Sequence, residues 1–400
     1  MLLKTYFDAV ELHRDDKFVA LRFLIPHRVI STSLTEGGIA EGLDLVFNHQ
    51  GCEAGPLSRH PAPQVIARQD LYAAAVLARH GFSGMRAAQL GTAANMNNLA
   101  VAVEAFREIS VLAAATAGVE GNAARAGDPA SCYEFDGRHE MIDRTPPPAL
   151  GTINVMIVVN QPMVDGALVR AVMTATEAKS AALQELSISS RYSRQIATGT
   201  GTDQIAVCAP LSGTSSPIRG AGHHTTLGEL IGKAVRRAIK ETLVFQNGLF
   251  PAGCCSCSHL MARFGFREEG ALVEAVLPFL PEAVHEGVRG GPHVFDRDPM
   301  TVLAVAAYLH VFDQTEWGVV PPACRREAAA VYGAGIAAAL SGRGDREATY
   351  RQAIMERMAA EDRDDPAFVV PHALGLGYAE KWQAHLAMEA DLLARLDKES

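Results

Sequence analysis

The first 250 residues alternate between short apolar stretches, of which 43–48 has a period of two, and longer stretches with a helical period. The short stretches predict strands at 18–25, 43–48, 85–92, 109–116, 153–159 and 205–209. The longer stretches predict helices at 67–80, about 97–108, 165–186 and from 227 onward. Elements in this order indicate an α/β fold in which a mixed sheet carries flanking helices.

The helix that begins near residue 227 has the clearest pattern. Its apolar positions recur at helical spacing as far as Leu243, and four cations occupy the other face: Lys233, Arg236, Arg237 and Lys240. A helix of this kind packs its apolar face against a sheet. Gly81 marks the end of the predicted helix 67–80, because glycine readily adopts the left-handed conformation found after a helix.

The pattern changes after Pro251. The chain becomes rich in Ala, Glu and Arg, with helical spacing at 268–278, 300–312, 325–339 and 379–398. We therefore predict two domains. An α/β domain spans 1–250, and a mostly α-helical C-terminal domain of unassigned role spans 251–400.

Composition and charge narrow the class of protein. The chain has 400 residues, 48% hydrophobic and 20% charged, which is typical of a globular protein with a sizeable core. Its net charge of −9 disfavours nucleic-acid binding, which needs a basic face. Acidic residues near the N-terminus and the absence of a long apolar run predict a cytoplasmic protein without membrane insertion. The odd number of cysteines, seven, then indicates reduced thiols.

The segment 197–232 carries the densest candidate chemistry. It begins with a loop of hydroxyls and glycines, namely Thr198, Gly199, Thr200, Gly201 and Thr202, which ends at Asp203. Glycines let backbone N–H groups approach a ligand closely, and a carboxylate can exchange protons. Asp203 is therefore a candidate base, or a residue that orients a histidine. The alternative is that its carboxylate only caps the amides of the turn.

The same segment places two histidines before the helix at 227. A position near a helix N-terminus lowers a histidine pKa and favours the neutral form that accepts a proton. We favour His224 over His223, with a plain surface histidine as the alternative. Thr225 or Thr226 fits the N-cap, and Glu229 has capping-box spacing from Thr226, so Glu229 has a structural interpretation as well as a catalytic one.

Two further places contain candidate polar residues. Glu120 and Asn122 follow the predicted strand 109–116, where α/β sheets bind ligands, although glycines on either side of Glu120 also fit a tight turn. Glu177 and Lys179 lie two residues apart on the predicted helix 165–186 and therefore point in different directions.

Cys254, Cys255 and Cys257 lie close to His259. Their spacing is too tight for three sulfurs to reach one zinc ion, so we predict thiols and no metal site. A cysteine nucleophile with His259 as its base is an alternative.

Four collinear stretches resemble the adenosylcobinamide amidohydrolase family (CbiZ) of corrinoid salvage. They are 29–38, 113–123, 152–155 leading to 176–183, and the Thr-Gly-Thr-Gly-Thr-Asp segment with the Gly-His-His-Thr-Thr-Leu-Gly-Glu-Leu-Ile-Gly run that follows it. The resemblance covers about 18–245. The chain has Thr35-Glu36-Gly37-Gly38 where the family motif usually contains Asn-Gly-Gly.

The resemblance implies a bacterial enzyme that hydrolyses the amide between the propionyl side chain of the corrin ring and the aminopropanol arm, giving adenosylcobyric acid. The substrate carries its own cobalt, and no other cofactor is implied; a homo-oligomer is left open. The candidate catalytic residues are Asp203, His224 and Glu177. The candidate binding residues are Thr198, Gly199, Thr200, Gly201, Thr202, Glu120, Asn122 and Thr225. Two other hypotheses are a non-catalytic corrinoid-binding protein and a phosphate binder, the latter disfavoured because the loop contains no lysine.

Overall fold

The structure is a computed structural model that describes residues 1–52, 68–142, 150–383 and 387–388. The chain divides into two compact units, one ending at Pro251 and the other beginning at Ala252. The described part of the chain contains no helix that is both long and apolar enough to cross a bilayer.

The first unit contains two main sheets. The first sheet has the order β1-β2-β3-β6-β7, and only its last pair, β6 and β7, is parallel. Its strands are β1 (Leu2–Tyr6), β2 (Val10–Asp15), β3 (Phe18–Phe23), β6 (Leu45–Gln50) and β7 (Ala87–Thr92).

The second sheet has the order β5-β4-β15-β13-β9-β8, with β13 and β15 as its parallel pair. Its strands are β4 (His27–Ser31), β5 (Gly38–Glu41), β8 (Ala100–Phe106), β9 (Ile109–Gly118), β13 (Thr152–Val159) and β15 (Gln204–Pro210). Two short antiparallel pairs lie outside it: β10 (Ala123–Ala124) with β14 (Gly199–Thr200), and β11 (Cys132–Phe135) with β12 (Arg138–Met141).

The two sheets stack face to face and helices cover the outer faces. Alternating apolar side chains from both sheets form the core between them, including Leu12 and Leu90 from the first and Leu112 and Met156 from the second. Helix α1 (Gln69–Arg79) covers the first sheet, and α2 (Asp165–Glu185) and α3 (Thr226–Asn247) cover the second. The predicted α/β class with a mixed sheet and flanking helices is confirmed.

One predicted helix is wrong. In the segment predicted as the helix 97–108, a 3-10 turn (Met96–Asn98) precedes β8, which pairs with β9 through a two-residue turn at Arg107 and Glu108. The backbone of Arg107 has a φ of 51°, the left-handed conformation that such a turn requires. Alanine-rich composition favours a helix locally, but Ala100 and Ala102 alternate into the core, so the period of two decides the outcome.

The second unit is helical. Its helices are α4 (Cys257–Met261), α5 (Ala271–Val276), α6 (His285–Gly290), α7 (His293–Asp296), α8 (Pro299–Glu316), α9 (Arg325–Ser341), α10 (Glu347–Glu361) and α11 (Pro366–Lys381). The predicted helices 268–278, 300–312 and 325–339 coincide with α5, α8 and α9. Most of the predicted helix 379–398 lies outside the described residues.

His372 makes the stability of this unit sensitive to acid. The side chain is buried in α11 and stacks on Phe279, and its Nδ1 has no hydrogen-bond partner in the part of the chain that the structure describes. Burial, with a smaller contribution from Arg357, lowers its pKa from 6.5 to about 4. The unfolded chain therefore binds this proton more tightly, and stability is lost as the pH falls from 6.5 toward 4.

We expect His372→Gln to weaken this acid dependence by on the order of 1 kcal/mol between pH 7 and pH 5, as seen by urea unfolding. His310→Gln, at an exposed position of α8, is the matched control and should leave the dependence unchanged. An equal acid dependence in wild type and His372→Gln would contradict the prediction.

Candidate functional site

A cavity whose lining includes several polar side chains lies between the two sheets, at the end where β6 and β7 finish and where β13 and β15 begin. Its volume is about 360 Å³. The lining is His49, Gly51, Cys52, Gln69, Tyr72, Gln89, Gly91, Thr92, Ala93, Asn122, Leu150, Gly151, Thr152 and Thr202. The carboxyl ends of the parallel strands β6 and β7 therefore lie at the cavity. Ligands in α/β folds usually bind at the carboxyl ends of parallel strands.

A second, smaller lobe of about 190 Å³ adjoins this cavity. The two lobes share Gln69, Gln89, Gly91 and Thr202. The smaller lobe is completed by Leu34, Thr35 and Gln204. Together the lobes form one cleft with a narrower and a wider part.

His49 and Tyr72 form a hydrogen-bonded pair in the lining of the cavity. The Oη of Tyr72 lies 2.9 Å from the Nδ1 of His49, and the rings meet edge to face. Burial, with smaller contributions from the neighbouring side chains of His80 and Arg79, lowers the pKa of His49 to about 4. His49 is therefore neutral at pH 7 and able to accept a proton.

A buried network of amides and hydroxyls holds the two sheets together beneath the cavity. Asn48 donates from Nδ2 to Thr116 Oγ1 at 2.8 Å and accepts from Asn154 Nδ2 at 2.9 Å. Asn154 also donates to the carbonyl of Gly91, and Gln204 accepts from the amide of Gly91 at 2.6 Å. Since buried polar groups are costly when unpaired, these bonds fix the register of the strand ends around the cavity.

Two carboxamides that line the cavity have oxygens without a partner. Asn122 is 2% exposed and Gln89 is 8% exposed, and neither Asn122 Oδ1 nor Gln89 Oε1 has a partner among the described residues. Gly151 is required beside Asn122, because a Cβ there would lie 2.4 Å from Asn122 Oδ1. Unpaired buried oxygens at a cavity wall are the feature expected where a ligand donates hydrogen bonds.

The carboxylate of Asp203 is occupied by structural contacts. It pairs with the ammonium of Lys179 and accepts from the amides of Ile153 and Thr200, each at 3.0 Å, and from the hydroxyl of Thr200 at 2.5 Å. Gly199 permits this arrangement, because a Cβ there would contact both charged groups. The geometry supports the alternative in which Asp203 caps the turn.

The other residues of the threonine-glycine loop either anchor the loop to its neighbours or line the cavity. Thr198 Oγ1 accepts from the amide of Ala126 at 2.9 Å, and Gly199 and Thr200 form β14 against β10. Gly201 is exposed. Thr202 alone of the loop lines the cleft, and its Oγ1 lies 2.7 Å from Thr152 Oγ1.

His224 and the loop do not meet in the cavity. His224 is exposed and precedes the first residue of α3. The other end of α3 lies on the cavity side of the first unit, where Gln246 accepts a hydrogen bond from the amide of Asn95 at 3.0 Å. The 22 residues of α3 separate these ends by roughly 30 Å. Thr225 is the N-cap of α3 and accepts from the amide of Gly228.

The remaining predicted residues also lie outside the cavity lining. Glu177 pairs with His223 at 2.6 Å on the surface, and Glu120 is exposed two residues before Asn122. Glu229 pairs with Lys233 rather than closing a capping box, because the N-cap is Thr225 and not Thr226. Asn122 and Thr202 are thus the predicted residues that the structure brings to the cavity.

The cysteine cluster in the second unit has structural surroundings. Cys257 is buried, its Sγ lies 3.4 Å from the carbonyl of Phe295, and burial raises the pKa of its thiol. Ser256 is the N-cap of α4, and its hydroxyl donates a hydrogen bond to the carboxylate of Asp296. Among the described residues, no group of three or more His, Cys, Asp or Glu is arranged to hold a metal ion.

The fold and the cavity define an α/β protein with a ligand-sized cavity at the carboxyl ends of a parallel strand pair. The model of the family described as CbiZ, adenosylcobinamide amidohydrolase, matches residues 3–251. The chain belongs to this family, and the predicted resemblance is confirmed.

Two relatives are similar to part of this chain. An uncharacterized protein of Methanocaldococcus jannaschii is 43% identical over 177 residues, which is 43% of this chain and 68% of the relative. A protein of Methanosarcina mazei named adenosylcobinamide amidohydrolase is 30% identical over 223 residues, 54% of this chain and 88% of the relative. Both relatives are archaeal, so they give no support to the expected bacterial origin.

Two solved structures show remote similarity to this chain. A beta-aminopeptidase of a Burkholderia species aligns with a TM-score of 0.31 and 13% identity over 66% of this chain and 89% of that chain. A Pyrococcus horikoshii protein aligns with a TM-score of 0.29 and 11% identity over 59% of this chain and 78% of that chain.

Sequence reasoning missed His49, Tyr72 and Gln89. A signal for His49 was present, since Asn48-His49-Gln50 ends an apolar strand and polar residues at a strand end are candidates for a site. Tyr72 and Gln89 gave no comparable signal, because each occupies an ordinary position of a helix or a strand.

Proposed function

We propose that this chain hydrolyses the amide that joins the aminopropanol arm of adenosylcobinamide to its corrin ring. The observation that carries the proposal is a neutral imidazole, His49, in the lining of a cavity in a chain that belongs to the adenosylcobinamide amidohydrolase family. The relative named adenosylcobinamide amidohydrolase supports the same substrate.

The cavity suits one arm of a large amide-bearing substrate. A volume of about 360 Å³ is at the small end for a drug-sized ligand, so a corrin ring would stay at the mouth while its arm enters. The unpaired oxygens of Gln89 and Asn122 would accept hydrogen bonds from substrate N–H groups. The lining thus complements amides.

His49 acts as the general base in this proposal. When Nδ1–H donates to Tyr72 Oη, the lone pair on Nε2 is free to take a proton from water. The water oxygen bonds the amide carbon, and the N–H groups of Asn122 are the candidate donors to the resulting oxyanion. The C–N bond then breaks, and the imidazolium returns the proton to the leaving amine, so one water yields one acid and one amine. This route needs no cofactor beyond the cobalt that the substrate carries.

The structure brings a lysine to the threonine-glycine loop, as the phosphate-binding alternative requires, but the charge of this lysine is already paired. Lys179 reaches the threonine-glycine loop, yet its charge is paired with Asp203. An ammonium that is already neutralised by a carboxylate attracts phosphate weakly, so we retain the amidohydrolase proposal.

The test is to incubate the purified chain with adenosylcobinamide and to identify the products by mass spectrometry. We expect equal amounts of adenosylcobyric acid and aminopropanol. Binding of the corrinoid, seen as an absorbance shift, without release of amine would support the non-catalytic corrinoid-binding protein instead.

Cys52 offers a second nucleophile, because it also lines the cavity. If water is the nucleophile, Cys52→Ala should keep kcat within a few-fold of wild type. Cys132→Ala, at an exposed position in β11, is the control. A fall of three orders of magnitude in Cys52→Ala alone would assign the attack to the thiol and a covalent acyl-enzyme.

A further inference from the structure

Gln89 occupies the junction between the two lobes of the cleft. It lies in the middle of β7 and lines both the 360 Å³ lobe and the 190 Å³ lobe. Its backbone amide donates to Ser33 Oγ at 2.9 Å, and Ser33 Oγ in turn donates to the carbonyl of Thr35, which lines the smaller lobe. The position of Gln89 is therefore fixed relative to both lobes.

The carboxamide oxygen of Gln89 is an acceptor to which no described residue donates. The residue is 8% exposed, and Oε1 has no hydrogen-bond partner among the described residues. An acceptor held in this way by a strand loses little conformational entropy when a ligand supplies the missing N–H. Gln89 is thus organised in advance to receive a donor at the junction.

The unequal lobes correspond to the two sides of an amide bond. A three-carbon amino alcohol is small enough for the 190 Å³ lobe, and the hydroxyl of Thr35 is available there for a polar contact. The acyl side, which continues into a ring, needs the wider lobe that also contains His49. An amide that spans the two lobes has its N–H at the junction.

We propose that Gln89 is the residue that recognises the scissile amide, accepting its N–H at the junction of the lobes, and that the smaller lobe binds the leaving amine. This inference rests on the proposed function for the identity of the substrate. The inference also concerns the acid product. An ionised carboxylate has no N–H to donate to Gln89, and its oxygens would be repelled by the Gln89 oxygen. The cleft therefore binds the amide substrate more tightly than the acid product.

The experiment measures this preference directly. Wild type is assayed at pH 8 for its KM for adenosylcobinamide and for competitive inhibition by adenosylcobyric acid. If wild type shows no turnover, equilibrium dialysis gives both dissociation constants instead. We expect the amide to bind roughly tenfold or more tightly than the acid, the typical effect of one hydrogen bond to a buried partner.

Three variants separate recognition from folding. Gln89→Met removes the acceptor and should bring the amide-to-acid preference close to one. Gln89→Glu keeps acceptor oxygens and adds a charge that repels the acid, so its preference should equal or exceed that of wild type. Gln184→Met, at an exposed position of α2, should behave as wild type.

An unchanged preference in Gln89→Met, or a preference lost in Gln89→Glu, would overturn the inference. If wild type binds the amide selectively through Gln89 but releases no amine, the inference stands and the proposed hydrolysis fails. If amine is released and the preference is independent of Gln89, the hydrolysis stands and the inference fails.

Discussion

Replacing His49 with glutamine is expected to lower kcat for adenosylcobinamide by roughly 10²- to 10⁴-fold, the usual contribution of a general base. The reason is that His49 is the imidazole in the cavity lining, hydrogen-bonded to Tyr72 and neutral at pH 7. Because glutamine can still bond Tyr72 but cannot take up a proton, substrate binding should change far less than kcat. Steady-state kinetics with product quantified by mass spectrometry measures both.

The pH profile gives an independent readout of the same group. Burial keeps the pKa of His49 near 4, so kcat/KM should stay level down to about pH 5 and fall below it as the base becomes protonated. An ordinary exposed histidine would give an acid limb near pH 6.5.

His224→Gln is the matched control, since His224 is exposed and lies outside the cavity lining. It should retain near wild-type kcat. If instead His224→Gln abolished turnover and His49→Gln did not, the imidazole that was predicted from the sequence would be the base after all.

Replacing Asp203 with alanine is expected to destabilise the first unit by about 3 kcal/mol or more. The change leaves the ammonium of Lys179 without its partner in a mostly buried place, and it removes the acceptor of the amides of Ile153 and Thr200. Urea unfolding followed by circular dichroism measures the loss.

Two comparisons identify the cause. Lys179→Met combined with Asp203→Ala should recover part of the stability, because no unpaired charge then remains. Glu177→Ala removes the exposed ion pair between Glu177 and His223, on the same helix α2 that carries Lys179. It should lower the free energy of unfolding by less than about 0.5 kcal/mol. If Asp203→Ala were as stable as wild type yet inactive, Asp203 would have a catalytic rather than a structural role.

Local patterns predicted most of the secondary structure of the first unit. The strand at 153–159 and the helix from 227 are observed as β13 and α3, because continuous apolar and 3.6-period patterns depend on local sequence. The error at 97–108 arose where alanine fits both a helix and an edge strand, and the pairing partner β9 decided between them.

The candidate site was predictable only in part. Asn122 and Thr202 were identified because glycines and polar residues cluster around them in the sequence. The partners they meet, His49 on β6 and Tyr72 on α1, come from distant segments that the first sheet brings to the same end of the sandwich.

The family, the α/β class and the segments that approach the cavity follow from local sequence, because motifs and hydrophobic periods are properties of neighbouring residues. Which imidazole enters the cavity depends instead on contacts between distant segments. A helix of 22 residues holds His224 at the far end of the second sheet, whereas pairing of β6 with β7 sets His49 beside the strand ends that form the cleft. Such an outcome depends on strand order and helix direction, which follow from packing between layers and not from any local pattern.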